Sequence, residues 1–512
     1  MLARGGSACD AAVAVAAALA VVEPYSSGLG GGGFFLLHRA TDGRQLMVDA
    51  REVAPQALRP EHFFDAAGQP RKGATVRGGT AVTIPGVPAA LDHLTRHCAT
   101  MPLAQTLEPA IRLARDGFAV DRRYARIAKM RESLLQANPE TLLFLDRGRA
   151  PEPGFVLRQP ELAATLERIA REGAAAAFYR GPVARGMVDA VNAAGGAWQL
   201  SDLESYRVIE REPLRFAYRG ATITAAALPS AGGVALAQVF GILGHFPVGD
   251  AHDPRTAHLV VEALRRAFRD RSLLGDPDHV PIPLARILDD GRTKEQAAAI
   301  DPRRASVLPH ADGGGAGGSG NTTHFSIIDA AGNRVAATLT INLLFGSGLM
   351  GRGSGVLLNN EMDDFTLRAD LANSFRLRGG VANAMAPGKR PLSSMTPAFV
   401  EDDKGVLVLG APGGSRIISQ VLLVAMEYLR LPVVDLHRLV GLPRYHHQYW
   451  PDRIEIEPEG FSAGWKAEME GMGHRLETAN RRWGNLQAVF QPRGGGAAQA
   501  ASDPRGGDVA WY

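Results

Sequence analysis

Residues 321–342 read NTTHFSIIDAAGNRVAATLTIN. Two alternating polar–apolar runs flank Ala330-Ala331-Gly332, the pattern of two strands joined by a tight turn. With Asp329 opposite Asn333, opposed residue numbers sum to 662 and Thr322 falls opposite Thr340. Directly opposed side chains stand about 5 Å apart at Cβ. Thr338, Thr340 and Asn342 share one face by the period-2 rule. A one-residue slip would turn all of them away, and β-propensity alone can account for a Thr-rich hairpin. The residues just upstream add chemistry. Positions 313–320 form a glycine-rich spacer, and Thr322 opens a strand one residue after it. Self-cleavage on such a tether exposes a new N-terminal Thr, whose free amine can serve as base for its own hydroxyl.

The spacer is also the strongest internal boundary. Ahead of it the chain reads as mostly helical. Residues 1–24 are expected as a buried Ala/Val helix that stops before Pro24, because Asp10 and Gly5-Gly6 spoil the alternative of a signal peptide. Amphipathic helices are expected over Leu103–Asp116, Glu161–Glu172 and Arg255–Leu274, the last charged on one face. Beyond the spacer, strands are expected at 322–329, 334–341, 355–358, 398–401 and 406–409, then a long apolar helix from Arg416 to Leu429. Gly28, Gly30 and Gly33 match G-x-G-x-x-G literally. They follow a helix and open a strand, the reverse of a dinucleotide site, so they read as a loop where backbones pass closely.

Composition narrows the function classes. Lys+Arg is 56 against Asp+Glu 53, a net charge of +3 over 512 residues, which gives no electrostatic case for nucleic-acid binding. No apolar run is long enough to span a membrane. Glycine, at 59 of 512 residues, is well above the usual level of about 7%. Cys9 and Cys98 are too few for a disulfide framework and are expected to be free and buried.

Seven stretches, in order and nearly end to end, resemble the signature blocks of the γ-glutamyltransferases (glutathione hydrolases of the N-terminal-nucleophile superfamily). They are SSGLGGGGF (26–34), DAREVAP (49–55), NTTHFSIID (321–329), LLNNEMDDF (357–365), KRPLSSMTP (389–397), GAPGGSR (410–416) and SDPR (502–505). The resemblance implies an α+β fold, a four-layer αββα sandwich shared by two subunits made from one precursor. The cut would fall between Asn321 and Thr322, leaving a large subunit 1–321 and a small one 322–512, with 311–321 as the tether before cleavage.

The resemblance also implies the site. Thr322 is the nucleophile, Thr340 its hydroxyl partner, and Gly413 and Gly414 the oxyanion turn. Arg51, Ser393 and Ser394 take the substrate α-carboxylate. Asn342, Glu361 and Asp364 take the α-ammonium, and Phe375 sits on a lid. Such a site needs a fork of donors beside carboxylates because the substrate end is a zwitterion. The implied partners are glutathione, other γ-glutamyl compounds, and acceptor amino acids or dipeptides, with no cofactor and no metal. His446 and His447 read as structural. Relatives are usually periplasmic or extracellular, although no export signal is visible, and the strand that usually precedes the first helix is expected to be missing. Two other readings stand beside this one: an acylase acting on glutaryl-type β-lactam amides, and an unprocessed pseudoenzyme or binding protein.

Overall fold

The computed structural model describes residues 1–307 and 320–506. Two antiparallel sheets stack face to face. One has five strands in the order 209–211, 45–50, 32–38, 334–343, 320–328, and the other six in the order 499–502, 487–492, 405–410, 398–401, 221–225, 214–218. Period-2 alternation explains the layering. Phe34, Leu36 and Ala336 point into the space between the sheets, where Phe399 and Val408 of the second sheet face them. Phe35, Val335, Ala337 and Leu339 point the other way, onto helices Ala8–Val22, Val87–His97 and Pro160–Glu172. Helices Ala231–Leu243, Pro254–Asp270 and Arg416–Arg430 cover the outer face of the second sheet. The result is the four-layer αββα sandwich.

Most expected elements appear within a residue or two. The hairpin has the anticipated register: Thr322 pairs with Thr340, Ile328 with Arg334. Asp329 Oδ1 accepts the N–H groups of Ala331 and Asn333 and fixes the turn. The register shifts between Gly320 and Thr322, so the backbone at Asn321 lies in a β-bulge. The rest of the tether and the side chain of Asn321 lie outside the described residues.

The first helix is capped by Ser7, which exchanges hydrogen bonds with Asp10. It is buried nearly all round, so it serves as a core helix. The glycine loop is where backbones pass closely. A Cβ on Gly30 would stand 2.0 Å from the Leu357 carbonyl oxygen, and one on Gly31 2.0 Å from that of Thr340.

Two expectations are corrected. Cys9 and Cys98 are joined in a disulfide across 89 residues. Two cysteines make no framework, yet they suffice to staple the first helix to the end of helix 87–97, and neighbourhood in space is invisible to spacing. Residues 355–358 form no strand; Leu357 and Leu358 make only isolated bridges, to Met350 and Gly30. The charged face expected on helix Pro254–Asp270 is largely buried and paired. Glu262 is fully buried between Arg265 (3.2 Å) and Arg266 (2.8 Å), and Asp270 pairs with Arg292 at 2.6 Å.

Candidate active site

The hairpin presents the Thr322 hydroxyl 3.5 Å from that of Thr340, both buried. Thr340 Oγ1 in turn accepts the Asn342 N–H at 2.8 Å. That contact depends on the left-handed backbone of Asn342, φ 72°, a conformation Asn tolerates better than most side chains. Asn342 Nδ2 donates to the Asn360 carbonyl at 2.8 Å and ties the hairpin to the acidic turn 361–364.

One small cavity, about 20 Å³, gathers Thr322, Thr340, Asn342, Arg51, Glu361, Asp364, Ser393, Ser394 and Gly414, with Phe375 beside them. That volume admits roughly one water molecule. The substrate-side residues named from the sequence thus converge from five separate segments. Gly413 stands next door, on the turn between strand 405–410 and helix 416–430, and lines the adjoining cavities instead. The turn needs its glycines, with φ 133° at Gly413 and 59° at Gly414. Gln420 Nε2 donates to the Pro412 carbonyl at 2.7 Å and braces it from the helix.

Arg51 is fully buried and is the hub of the charged end. Its Nε donates to the Pro391 carbonyl at 3.1 Å. Nη1 lies 3.3 Å from Glu52 and 2.8 Å from Glu361, and Nη2 lies 2.5 Å from Asp364. The fork expected for a substrate carboxylate is therefore largely engaged by the protein's own carboxylates. Burial and these three anions act in opposite directions on the guanidinium, and the anions win, raising its pKa. Burial pushes Glu52 up to about 7 despite Arg51, and pushes Glu361 well above its ordinary value.

Two residues here escaped the sequence reading. Glu52 is one; its place beside Arg51 in DAREVAP was the available signal. Arg271 is the other. Its Nη2 reaches Ser394 Oγ at 3.5 Å, and burial, with Arg51 adding to it against Asp364, lowers its pKa to about 10. It directly follows helix Pro254–Asp270, within the stretch Arg255–Leu274 read as charged on one face.

Phe375 closes the cavity over Gly414: a Cβ there would meet the ring at 2.4 Å. Its strap is held at two points. Asp363 accepts the Ser374 N–H at 3.0 Å, and Gln448 Nε2 donates to the Phe375 carbonyl at 3.0 Å. Gln448 Oε1 accepts from Ser415 at 2.6 Å and lies 2.9 Å from His446 Nε2, while His446 Nδ1 takes the Ser419 hydroxyl at 2.7 Å. His447 bonds Asp452 at 3.1 Å. Both histidines thus have protein partners. Among the described residues His258, Glu262 and His474 come close enough to share an ion. There Glu262 is already matched by two arginines, and His258 Nδ1 lies 2.7 Å from His474 Nε2, a hydrogen bond rather than an ion's width.

A family model for gamma-glutamyltranspeptidase matches residues 1–512. The glutathione hydrolase proenzyme of Pseudomonas sp. (strain A14) is 39% identical over 486 residues, which cover 93% of this chain and 84% of that protein. Among solved structures, the cephalosporin acylase from Bacillus halodurans matches with a TM-score of 0.84 at 26% identity, over 99% of this chain and 92% of that one. The gamma-glutamyltranspeptidase of Helicobacter pylori matches with a TM-score of 0.57 at 32% identity, over 59% and 88%. With the family match running the whole length, and a relative this similar over nearly all of it, the chain belongs to the gamma-glutamyltranspeptidase family.

Proposed function

We propose that the chain is a γ-glutamyltransferase and glutathione hydrolase that first cuts itself between Asn321 and Thr322. The observation that carries this reading is the Thr322–Thr340 hydroxyl pair, 3.5 Å apart, in one cavity with Arg51, Glu361, Asp364, Ser393 and Ser394. In processing, the Thr322 hydroxyl oxygen adds to the Asn321 carbonyl carbon and the peptide C–N bond breaks. Water then releases the resulting ester, leaving a free α-amine on Thr322 and a carboxylate on Asn321. The products are subunits 1–321 and 322–512, which stay together because both sheets draw strands from both.

In turnover the new α-amine takes the Thr322 hydroxyl proton as oxygen attacks the γ-glutamyl carbonyl. Gly413 and Gly414 face the developing oxyanion with backbone N–H groups at a helix N-terminus. The C–N bond breaks, the proton passes to the departing amine, and cysteinylglycine leaves when glutathione is the substrate. Water or an acceptor amine of an amino acid or dipeptide then takes the acyl group from the ester. Glu361, Asp364 and Asn342 receive the α-ammonium. Ser393, Ser394 and the remaining Arg51 N–H receive the α-carboxylate. The strap carrying Phe375 has to swing out to admit this group, since the closed cavity is too small for it.

A denaturing gel tests the first step. Wild type is expected to give two bands and Thr322→Ala one near 54 kDa; a single wild-type band refutes processing. Release of cysteinylglycine from glutathione tests the second. The acylase reading draws on one observation, that Glu361 and Asp364 are already bound to Arg51. Equal rates on glutaryl and γ-glutamyl p-nitroanilides would favour it.

A further inference from the structure

The γ-glutamyl end of the cavity is shut by buried Arg51 and Glu361, so the amine half of a substrate must lie past the oxyanion turn. Beside that turn a separate cleft of about 200 Å³ is bordered by Gly413 and Leu344. Among the described residues six arginines line it and no carboxylate does. Four are partly or wholly matched from behind. Arg416 pairs with Glu455 at 2.6 Å and Arg505 with Glu457 at 2.6 Å. Arg123 and Arg482 stand 3.9 Å from Glu23 and Glu457. Arg126 and Arg481 have no anionic partner among the described residues. Burial lowers the pKa of Arg481, and the charges of Arg126 and Arg416 push the same way, so these cations crowd one another. A second cavity bordering Gly413 differs, because Glu455 lines it.

We propose that this cleft is the subsite for the amine half of the reaction, and that it selects leaving groups and acceptors carrying more than one carboxylate, such as acidic amino acids and acidic peptides. Guanidinium groups left without counter-charge at the rim of a low-dielectric cleft attract anions and bind carboxylates through paired N–H donors. Arg126 and Arg481 come from separate elements, helix Arg122–Gln136 and the loop after strand Leu476–Thr478. Each can therefore hold a different carboxylate of one ligand. The proposal rests on the γ-glutamyl-transfer reading above.

The experiment compares two substrates of one shape, γ-glutamyl-glutamate and γ-glutamyl-glutamine, with γ-glutamyl-p-nitroanilide as the common reference. The processed wild-type enzyme at low salt is expected to favour the acidic dipeptide in kcat/KM by about tenfold, the worth of one charge-assisted hydrogen bond. Added salt should shrink that ratio. The double variant Arg126→Gln/Arg481→Gln should bring it close to one, while Arg126→Lys/Arg481→Lys should keep most of it. Both residues are exposed, so the variants should fold. A wild-type ratio near one, or a preference that survives in the glutamine variant, overturns the subsite. Failure to cleave γ-glutamyl-p-nitroanilide at all overturns the transfer reading itself.

Discussion

At the residue scale, Arg51 has two duties that pull on the same atoms. It pairs with Glu52, Glu361 and Asp364, and in the proposed function it offers what is left of its fork to substrate. Arg51→Ala removes both, and breaking a buried charge pair costs about 2–5 kcal/mol. The expected outcome is a KM for γ-glutamyl-p-nitroanilide raised at least thirtyfold, with both subunit bands still present on a gel. Arg51→Lys keeps the charge and loses the fork, so it should fall in between. Gly414 is a sharper case. Its φ of 59° and the Phe375 ring 2.4 Å from any added Cβ oppose a side chain for two separate reasons. Gly414→Ala should lower kcat by about 10²–10³, the cost of losing one oxyanion donor; Gly414→Ala combined with Phe375→Ala should recover only the share due to the ring. That Arg51 and Gly414 would come together was legible in short blocks such as GAPGGSR and DAREVAP. The engagement of Arg51 by three carboxylates was not, since two of them arrive from more than 300 residues away in the chain.

At the element scale, the hairpin was the most legible part of the chain. Strict alternation and a turn rigidified by Asp329 leave one register, and that register sets the Thr322–Thr340 pair. Long-range covalent and ionic links were not legible. The Cys9–Cys98 bond closes an 89-residue loop between the first helix and the helix beneath it. Loop-closure entropy sets its worth at roughly 2–4 kcal/mol. Cys9→Ser should therefore lower the melting temperature by several degrees. A reductant should lower the wild type to the same value and leave the variant unmoved; equal melting of both proteins without reductant would refute a stabilising role. Such a bond persists where thiols are kept oxidised. The strap is the second element with a test. Gln448 is the donor that holds the Phe375 carbonyl, so Gln448→Ala should loosen the closed state and raise KM more than it changes kcat.

At the scale of the whole molecule, stability reflects two buried populations that titrate against each other. His324, His446 and His474 are buried neutral, with burial driving each pKa down to about 3 from 6.5. The unfolded chain takes up their protons first, so each costs about 1.4 kcal/mol of stability per pH unit as pH falls from 6.5 toward 3. Glu52, raised by burial to about 7 from 4.5, and Asp363, raised by burial to about 6 from 3.8, act in the opposite sense. Glu361 shifts the same way. The folded state protonates these acids first, so they add stability as pH falls toward the unfolded values. Between about 4.5 and 6.5 the two sets oppose one another, and burial lowers His38, His93 and His447 as well, which weights the balance toward the histidines. Below 4.5 the acids have titrated in the unfolded chain too and stop compensating. The carboxylates held low by their hydrogen bonds and arginine partners, Asp10, Glu262, Asp270 and Asp503, then lose their advantage as well. Calorimetry across pH should find a melting temperature that declines gently from 6.5 to 4.5 and steeply beneath. Asp363→Asn removes one compensating acid, so its melting temperature should decline more steeply from about pH 6. A wild-type melting temperature that falls as steeply between pH 6.5 and 4.5 as below it would show that the buried acids do not offset the histidines.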